Sequence, residues 1–198
     1  MKKSMIFIVL TVALTSCLRY QEYCSQLEDK KICNLMMDKL AKEASLEDRL
    51  RCKGYSGRRR DGVNYLTINF SSLSHTTMTV DTTRILLVKW MERYKHAIHQ
   101  YTKLRPFLKI FPVTAENIGI GVDFYDKTIK LFSPESVTDA FAEEGEVYYS
   151  IPVDAAGSSQ LVRTETYEEA RRIVGEKYPE LLLEFEEPSV PMPTEKVE

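Results

Sequence analysis

Residues 83–105 read Thr-Arg-Ile-Leu-Leu-Val-Lys-Trp-Met-Glu-Arg-Tyr-Lys-His-Ala-Ile-His-Gln-Tyr-Thr-Lys-Leu-Arg and are followed by Pro106. Leu87, Trp90, Met91, Tyr94, Ile98 and Tyr101 recur at i, i+3, i+4 spacing, which predicts one long amphipathic helix capped by Asp81 or Thr82 and closed by the proline. An apolar stripe this long needs a partner surface, so the helix is expected to form the centre of a core. The aromatic members of the stripe serve packing first; as a ligand wall they would instead line a cavity for a small lipid.

The flanking segments supply that partner surface. Val63–Phe70 alternates, with Leu66, Ile68 and Phe70 on one face, as a half-buried strand does. Thr76–Val80 is rich in β-branched residues and reads as a second strand after a turn at Ser71–Ser74. Beyond Pro106, strands are expected at Phe107–Val113, Ile118–Tyr125 and Thr128–Phe132, with a tight turn at Asp126-Lys127. Ser133-Pro134-Glu135 places Ser at a cap and Pro at the first helical position, which predicts a short helix ending near Gly145. Glu146–Val153 and Gln160–Arg163 read as strands. Thr166-x-x-Glu169 is a capping box for a helix ending at Pro179, and Leu181–Phe185 adds a strand or packs. Strands joined by short turns, with helices interspersed irregularly, argue for α+β with a mostly antiparallel sheet packed on the long helix.

Upstream, residues 19–53 hold neither Gly nor Pro and are rich in Leu, Met, Lys and Glu, so they read as helical. Ser45-x-x-Asp48 would cap a second helix and make a hairpin. Gly54-Tyr55-Ser56-Gly57-Arg58-Arg59-Arg60-Asp61-Gly62 reads as a loop by its glycines. The organisation expected is a leader at 1–16, a helical segment at 17–54, an α+β domain at 63–186 and a disordered Pro- and Glu-rich tail at 187–198.

The leader decides location. Lys2 and Lys3 precede Met5–Thr15, an apolar run broken only by Thr11 and Thr15. As a helix it spans about 16 Å, half of a ~30 Å hydrocarbon core. A charged start, a short apolar middle and small residues at the end form the pattern of a secretory signal peptide. Leu14-Thr15-Ser16-Cys17 resembles the lipobox of bacterial lipoproteins, a resemblance confined to these first seventeen residues. It implies a diacylglyceryl group on the Cys17 thiol, cleavage before Cys17 and acylation of the new amino group. Two or more chains anchor stably where one does not. Leu18, in place of the Asp that would favour inner-membrane retention, implies the outer membrane if the cell has two. The 182 residues that remain after residue 16 suffice for one domain with a sizeable core. No Ser/Gly linker follows Cys17, so the body is expected close to the bilayer.

Charge is split along the chain. Residues 18–48 carry 5 basic and 7 acidic side chains, 49–109 carry 13 and 3, and 110–198 carry 7 and 19. The basic middle either pairs with the acidic remainder inside the fold or faces anionic headgroups beside the anchor. Arg58, Arg59 and Arg60 are candidates for that anionic contact, with a solvated loop as the default; nucleic acid is not an expected partner outside the cytoplasm.

Cys24, Cys33 and Cys52 follow Cys17 in a disulfide-permissive compartment. Cys24 and Cys33 on one helix lie about 13 Å apart, too far to bridge, so Cys33–Cys52 is the candidate disulfide. The alternative is that all three are small buried residues.

Chemistry is sparse. His96 and His99, with Glu92, have metal-site spacing, yet both histidines fall away from the apolar stripe and read as solvated. Gly54-Tyr55-Ser56-Gly57 is not a nucleophile elbow, and Gly119-Ile120-Gly121 reads as a bulge or a close backbone approach. Glu143, Glu144 and Glu146 cluster near a helix end, where solvation accounts for them. No catalytic residue, metal or cofactor is assigned. The leading expectation is a lipid-anchored envelope protein that binds a protein partner or scaffolds a complex. An envelope hydrolase using paired carboxylates on cell-wall or glycan material is second, and small-lipid carriage third.

Overall fold

The computed structural model describes residues 28, 30–59, 62–72, 78–124, 136–153, 158–183 and 185. Helix α1 (30–47) leads into strand β1 (Leu50–Arg59), which forms a hairpin with β2 (Val63–Ser72). Helix α2 (Val80–Gln100) crosses over to β3 (Ile118–Asp123), and β4 (Asp139–Glu143), β5 (Glu146–Pro152) and β6 (Ser159–Thr166) follow. Helices α3 (Tyr167–Lys177) and α4 (Glu180–Leu183) close the described chain. The sheet order is β1-β2-β3-β4-β5-β6. Only β2 and β3 run parallel, because α2 carries the chain back between them; the other four pairings are antiparallel. The architecture is the α+β class expected, with a helix ahead of the sheet and α2 packed on it.

Helix α2 forms where the periodicity places it, but starts earlier. Thr79, not Asp81 or Thr82, is the cap: its hydroxyl accepts from Thr82 N, and Thr82 Oγ1 accepts from Thr79 N. Leu87, Val88, Trp90, Met91, Tyr94 and Ile98 are buried against Leu66, Ile68 and Phe70 of β2 and Ile118, Ile120 and Val122 of β3, within one hydrophobic cluster. Helix α1 contributes Cys33, Met36, Met37, Leu40 and Ala44 to the same cluster. It is therefore part of one core and not a separate helical segment.

Burial on α2 extends to charge. Arg84, Thr83 and Glu92 are as enclosed as the apolar stripe. Arg84 forks onto Glu165 of β6, Nε to Oε1 at 2.6 Å and Nη2 to Oε2 at 3.1 Å, and also meets Asp81. Tyr149 of β5 donates to the same Glu165 at 2.6 Å.

Several local expectations give way to tertiary context. The second N-terminal helix is absent: α1 ends at residue 47, Arg49 takes a left-handed φ of 53°, and the chain enters β1 at Leu50. The segment from Gly54 to Gly57 is strand, not loop, because β2 offers a full ladder opposite it; Gly57 pairs with Leu66. Asp139–Glu143 is strand β4, not the end of a helix. Glu144 and Gly145, with φ of 51° and 82°, make the two-residue turn that right-handed strand twist favours, so the segment pairs with β5. Phe107–Val113 is not a strand. Arg105–Phe107 is a 3-10 turn, Leu108 makes a single bridge to Val63, and Pro106 and Pro112 remove donors a ladder would need. Val80 opens α2, and Met78 and Thr79 are not strand; residues 76–77 lie outside the described residues, as do 125–135 and the tail at 187–198. Leu181–Leu183 belongs to α4.

The sheet face opposite the helices is largely polar. Ser56, Thr67, Gly119 and Glu143 stand in one cross-strand row, and Gly121 pairs with Asn69 and Phe141. A Cβ at Gly121 would sit 2.9 Å from the Phe141 ring, and one at Gly119 2.7 Å from the Tyr65 hydroxyl. The two glycines answer a close approach of side chains, not a bulge; β3 keeps regular register with both neighbours.

Two outcomes are expected. Arg84→Met leaves the buried Glu165 with only Tyr149 and the half-exposed Arg163 and should cost about 3 kcal/mol in urea unfolding, whereas adding Glu165→Leu should recover much of that loss. Arg49→Gly relieves a left-handed backbone and should raise stability by about 0.5–1 kcal/mol in the same measurement.

Candidate functional site

The described chain has one end where cations collect without partners. From Arg93 to Ala115 the sequence has no Asp or Glu, and it carries Arg93, Lys95, Lys103, Arg105 and Lys109. Arg93 and Lys95 are consumed within the fold: Arg93 meets Glu47, and Lys95 meets Glu92 at 2.7 Å. Lys103, Arg105 and Lys109 are exposed and form no salt bridge with any described residue. The same loop carries an exposed apolar tip, Ile110 and Phe111, which are 44% and 42% accessible. The Arg105 guanidinium lies 4.3 Å from the centre of the Phe111 ring, and His99 meets the ring edge-on at 5.3 Å.

Two elements position this loop. It leaves the C-terminal end of α2, where His99 Nε2 accepts from Val113 N at 3.1 Å. Lys109 N donates to Val63 O at 2.9 Å, tying the loop to the start of β2. The loop therefore lies at the β1–β2 turn. Helix α1 begins at the same end. Its C-terminal Asp48 accepts from Trp90 Nε1 and Lys89 Nζ, both at 2.7 Å, while its middle reaches Tyr55 through Asp38 at 3.4 Å. Helix α1 thus runs antiparallel to β1, and its first described turn points towards the β1–β2 turn and the loop.

The structure pairs part of the basic middle and leaves part of it exposed. Lys53 meets Asp123, Arg58 meets Glu144 at 2.7 Å, and Arg84 meets Glu165, so much of it pairs with the acidic C-terminal part. Arg58 also lies over the Tyr65 ring at 5.0 Å, on the outer sheet face. That exposed pair is worth little, about 0–1 kcal/mol. Arg59 ends β1 opposite Val63, and Arg60 lies outside the described residues. Among the described residues Arg49 and Arg51, at the start of β1, form no salt bridge, and neither do Lys103, Arg105 and Lys109 on the loop. The acid-free run was a signal for them, but reading Phe107–Val113 as a strand hid the exposed tip.

Cys17 and the leader lie outside the described residues, as do Cys24 and His75. Cys33 and Cys52 are not joined to one another; Cys33 is buried on α1 and Cys52 half-buried on β1. Burial, and the nearby Asp38 carboxylate, push the Cys52 thiol up, away from the reactive thiolate.

His96 and His99 are half-buried, not solvated, and His96 lies 6.0 Å from the Phe185 ring. Glu92 is turned inwards, accepting from Tyr167 at 2.9 Å and Arg171 at 3.0 Å. Among the described residues no group of three or more His, Cys, Asp or Glu is placed to hold a metal ion. Burial opposes the charge on Glu92, but Lys95, Tyr167 and Arg171 outweigh it and hold the carboxyl below the usual range. Burial likewise opposes the charge on Glu165, and Arg84, Tyr149 and Arg163 outweigh it. A general acid needs the opposite shift, so both carboxylates act as anchors for buried cations and phenols. Trp90 and Tyr94, the aromatic pair of the α2 stripe, are completely enclosed in the core.

No protein-family profile, curated protein or solved structure matches the chain. No helix among the described residues is long and apolar enough to cross a membrane.

Glu92 and Glu165 set an acid limit. Their folded pKa values lie below the ordinary 4.5, so the native state binds fewer protons than the unfolded chain. Their stabilisation is complete above that value and is lost as pH falls through the depressed folded pKa. Unfolding free energy should decline on acidification below about pH 4.5, and the double variant Glu92→Gln, Glu165→Gln should show a shallower slope there.

Proposed function

We propose that this chain is a cell-envelope lipoprotein, tethered to a membrane through acyl chains on Cys17, whose α+β body binds a protein partner or scaffolds a complex without catalysis. Leu14-Thr15-Ser16-Cys17, directly after the short apolar run, carries the reading. A run of that length is too short to remain as a span and the right length for a leader. The outer membrane is the proposed location if the cell has two, because Leu18 replaces the Asp of inner-membrane retention.

The body suits this role in two respects. Its buried carboxylates are tied to arginines and tyrosines instead of opening onto solvent as a catalytic pair. Lys103, Arg105 and Lys109, which form no salt bridge among the described residues, lie at the end where α1, the first described element after Cys17, begins. Attraction between those cations and acidic headgroups would orient the body on its tether and leave the opposite end free for a partner.

Mass spectrometry of the N-terminal peptide should find fatty acid on Cys17. Cys17→Ala should move the chain from the membrane fraction to the soluble or unprocessed pool. Crosslinking in intact cells should then capture a protein with the acylated form. An unmodified Cys17 in a membrane-bound chain would sink the anchor, and degradation of envelope polymers by the purified protein would sink the non-catalytic role.

A further inference from the structure

The loop between α2 and β3 has a composition and setting that the anchor alone does not explain. Two large apolar side chains, Ile110 and Phe111, stand exposed at its tip, with Lys109 next to them, the Arg105 guanidinium over the Phe111 ring and Lys103 exposed on the same loop. We propose that this loop is a second, non-covalent membrane contact: Ile110 and Phe111 enter the headgroup–acyl boundary of an anionic bilayer while the three cations meet lipid phosphates. The choice of a bilayer as occupant rests on the reading of Cys17 as an anchor.

The physical case has three parts. First, the tip is apolar and its collar cationic, the distribution that interfacial segments show on acidic lipid. Second, the cations are available: among the described residues they meet no carboxylate. Among the described residues, Glu144 of the β4–β5 turn is held by Arg58, and Glu116 lies beside Gly145. Third, the loop lies at the end of the molecule where α1 begins. The twelve residues from 18 to 29 reach at most about 43 Å when extended, so a bilayer holding Cys17 is within reach of this end.

The tip is also held ready. Arg105 covers one side of the Phe111 ring and His99 its edge, while Lys109 N is bonded to Val63 O and Val113 N to His99. At a lipid surface the guanidinium can rise to a phosphate while its stem stays on apolar surface, which frees the ring face to go down.

The test uses the full chain carrying Cys17→Ala, so that no acyl group contributes, mixed with vesicles of phosphatidylglycerol or of phosphatidylcholine. F111W puts an indole at the tip; Trp90, fully enclosed, is the silent background. With phosphatidylglycerol vesicles the added fluorescence should shift to the blue and be quenched by brominated acyl chains, and with phosphatidylcholine it should do neither. Ile110→Ser should weaken binding about tenfold. Each of Lys103→Gln, Arg105→Gln and Lys109→Gln should weaken it about fivefold, and raised salt should do the same. An indole that stays water-exposed on both vesicles overturns the proposal. So does binding indifferent to Ile110→Ser and Phe111→Ser, which would mean headgroup contact without insertion. A photo-crosslinker at position 111 that attaches to a protein instead of lipid in intact cells overturns it in favour of a partner site. Unchanged unfolding midpoints for Ile110→Ser and F111W guard against loss of fold. The anchor fails separately: an unacylated Cys17 in the native protein sinks the lipoprotein reading without altering the vesicle result, and an acylated Cys17 with no vesicle response sinks this inference alone.

Discussion

Helix α2 is buried on its polar flank as well as its apolar one, and Arg84 is what makes that tolerable. A guanidinium enclosed between helix and sheet carries a desolvation cost of several kcal/mol unless its donors are met. Glu165 meets two of them, Asp81 a third, and Tyr149 completes the acceptor side of Glu165. The fork geometry admits few relative positions of α2 and β6. It sets how far along the sheet α2 lies, and so which side chains of β2 and β3 its stripe meets. Glu92, about two turns further along, repeats the device towards α3 through Tyr167 and Arg171.

The C-terminal end of α2 is built differently. There the carboxylates stop, the helix ends at Gln100, and the chain passes through Pro106 and Pro112 before β3. The same segment that fixes α2 by buried ion pairs thus delivers at its end a loop whose cations are left over. Charge in this protein has two uses, separated by burial: at Arg84 and Glu92 it specifies packing, and at Lys103, Arg105 and Lys109 it remains for solvent and for whatever the molecule touches.

The candidate surface was partly legible beforehand. The surplus of cations in 49–109 is a property of composition, and composition needs no fold. Which of those cations stay unpaired is a property of distance. Arg58 looked free beside Arg59 and Arg60 until β1 brought it to Glu144, eighty-six positions away. Lys109 looked like part of a strand until two prolines and a single bridge to Val63 left it on a loop.

Sequence periodicity was enough to locate α2, β2, β3, β5 and the Thr166 cap of α3, because each buries one face and the required spacing is written in neighbouring residues. The short apolar run and the cysteine after it, which carry the proposed anchor, are likewise local in the sequence. Tertiary structure alone decided that Gly54–Gly57 extends a strand, that Asp139–Glu143 pairs instead of coiling, and that α1 stops at a left-handed Arg49. Each of these segments has weak or contrary local preference, and the ladder partner or core face that overrides it lies elsewhere in the chain.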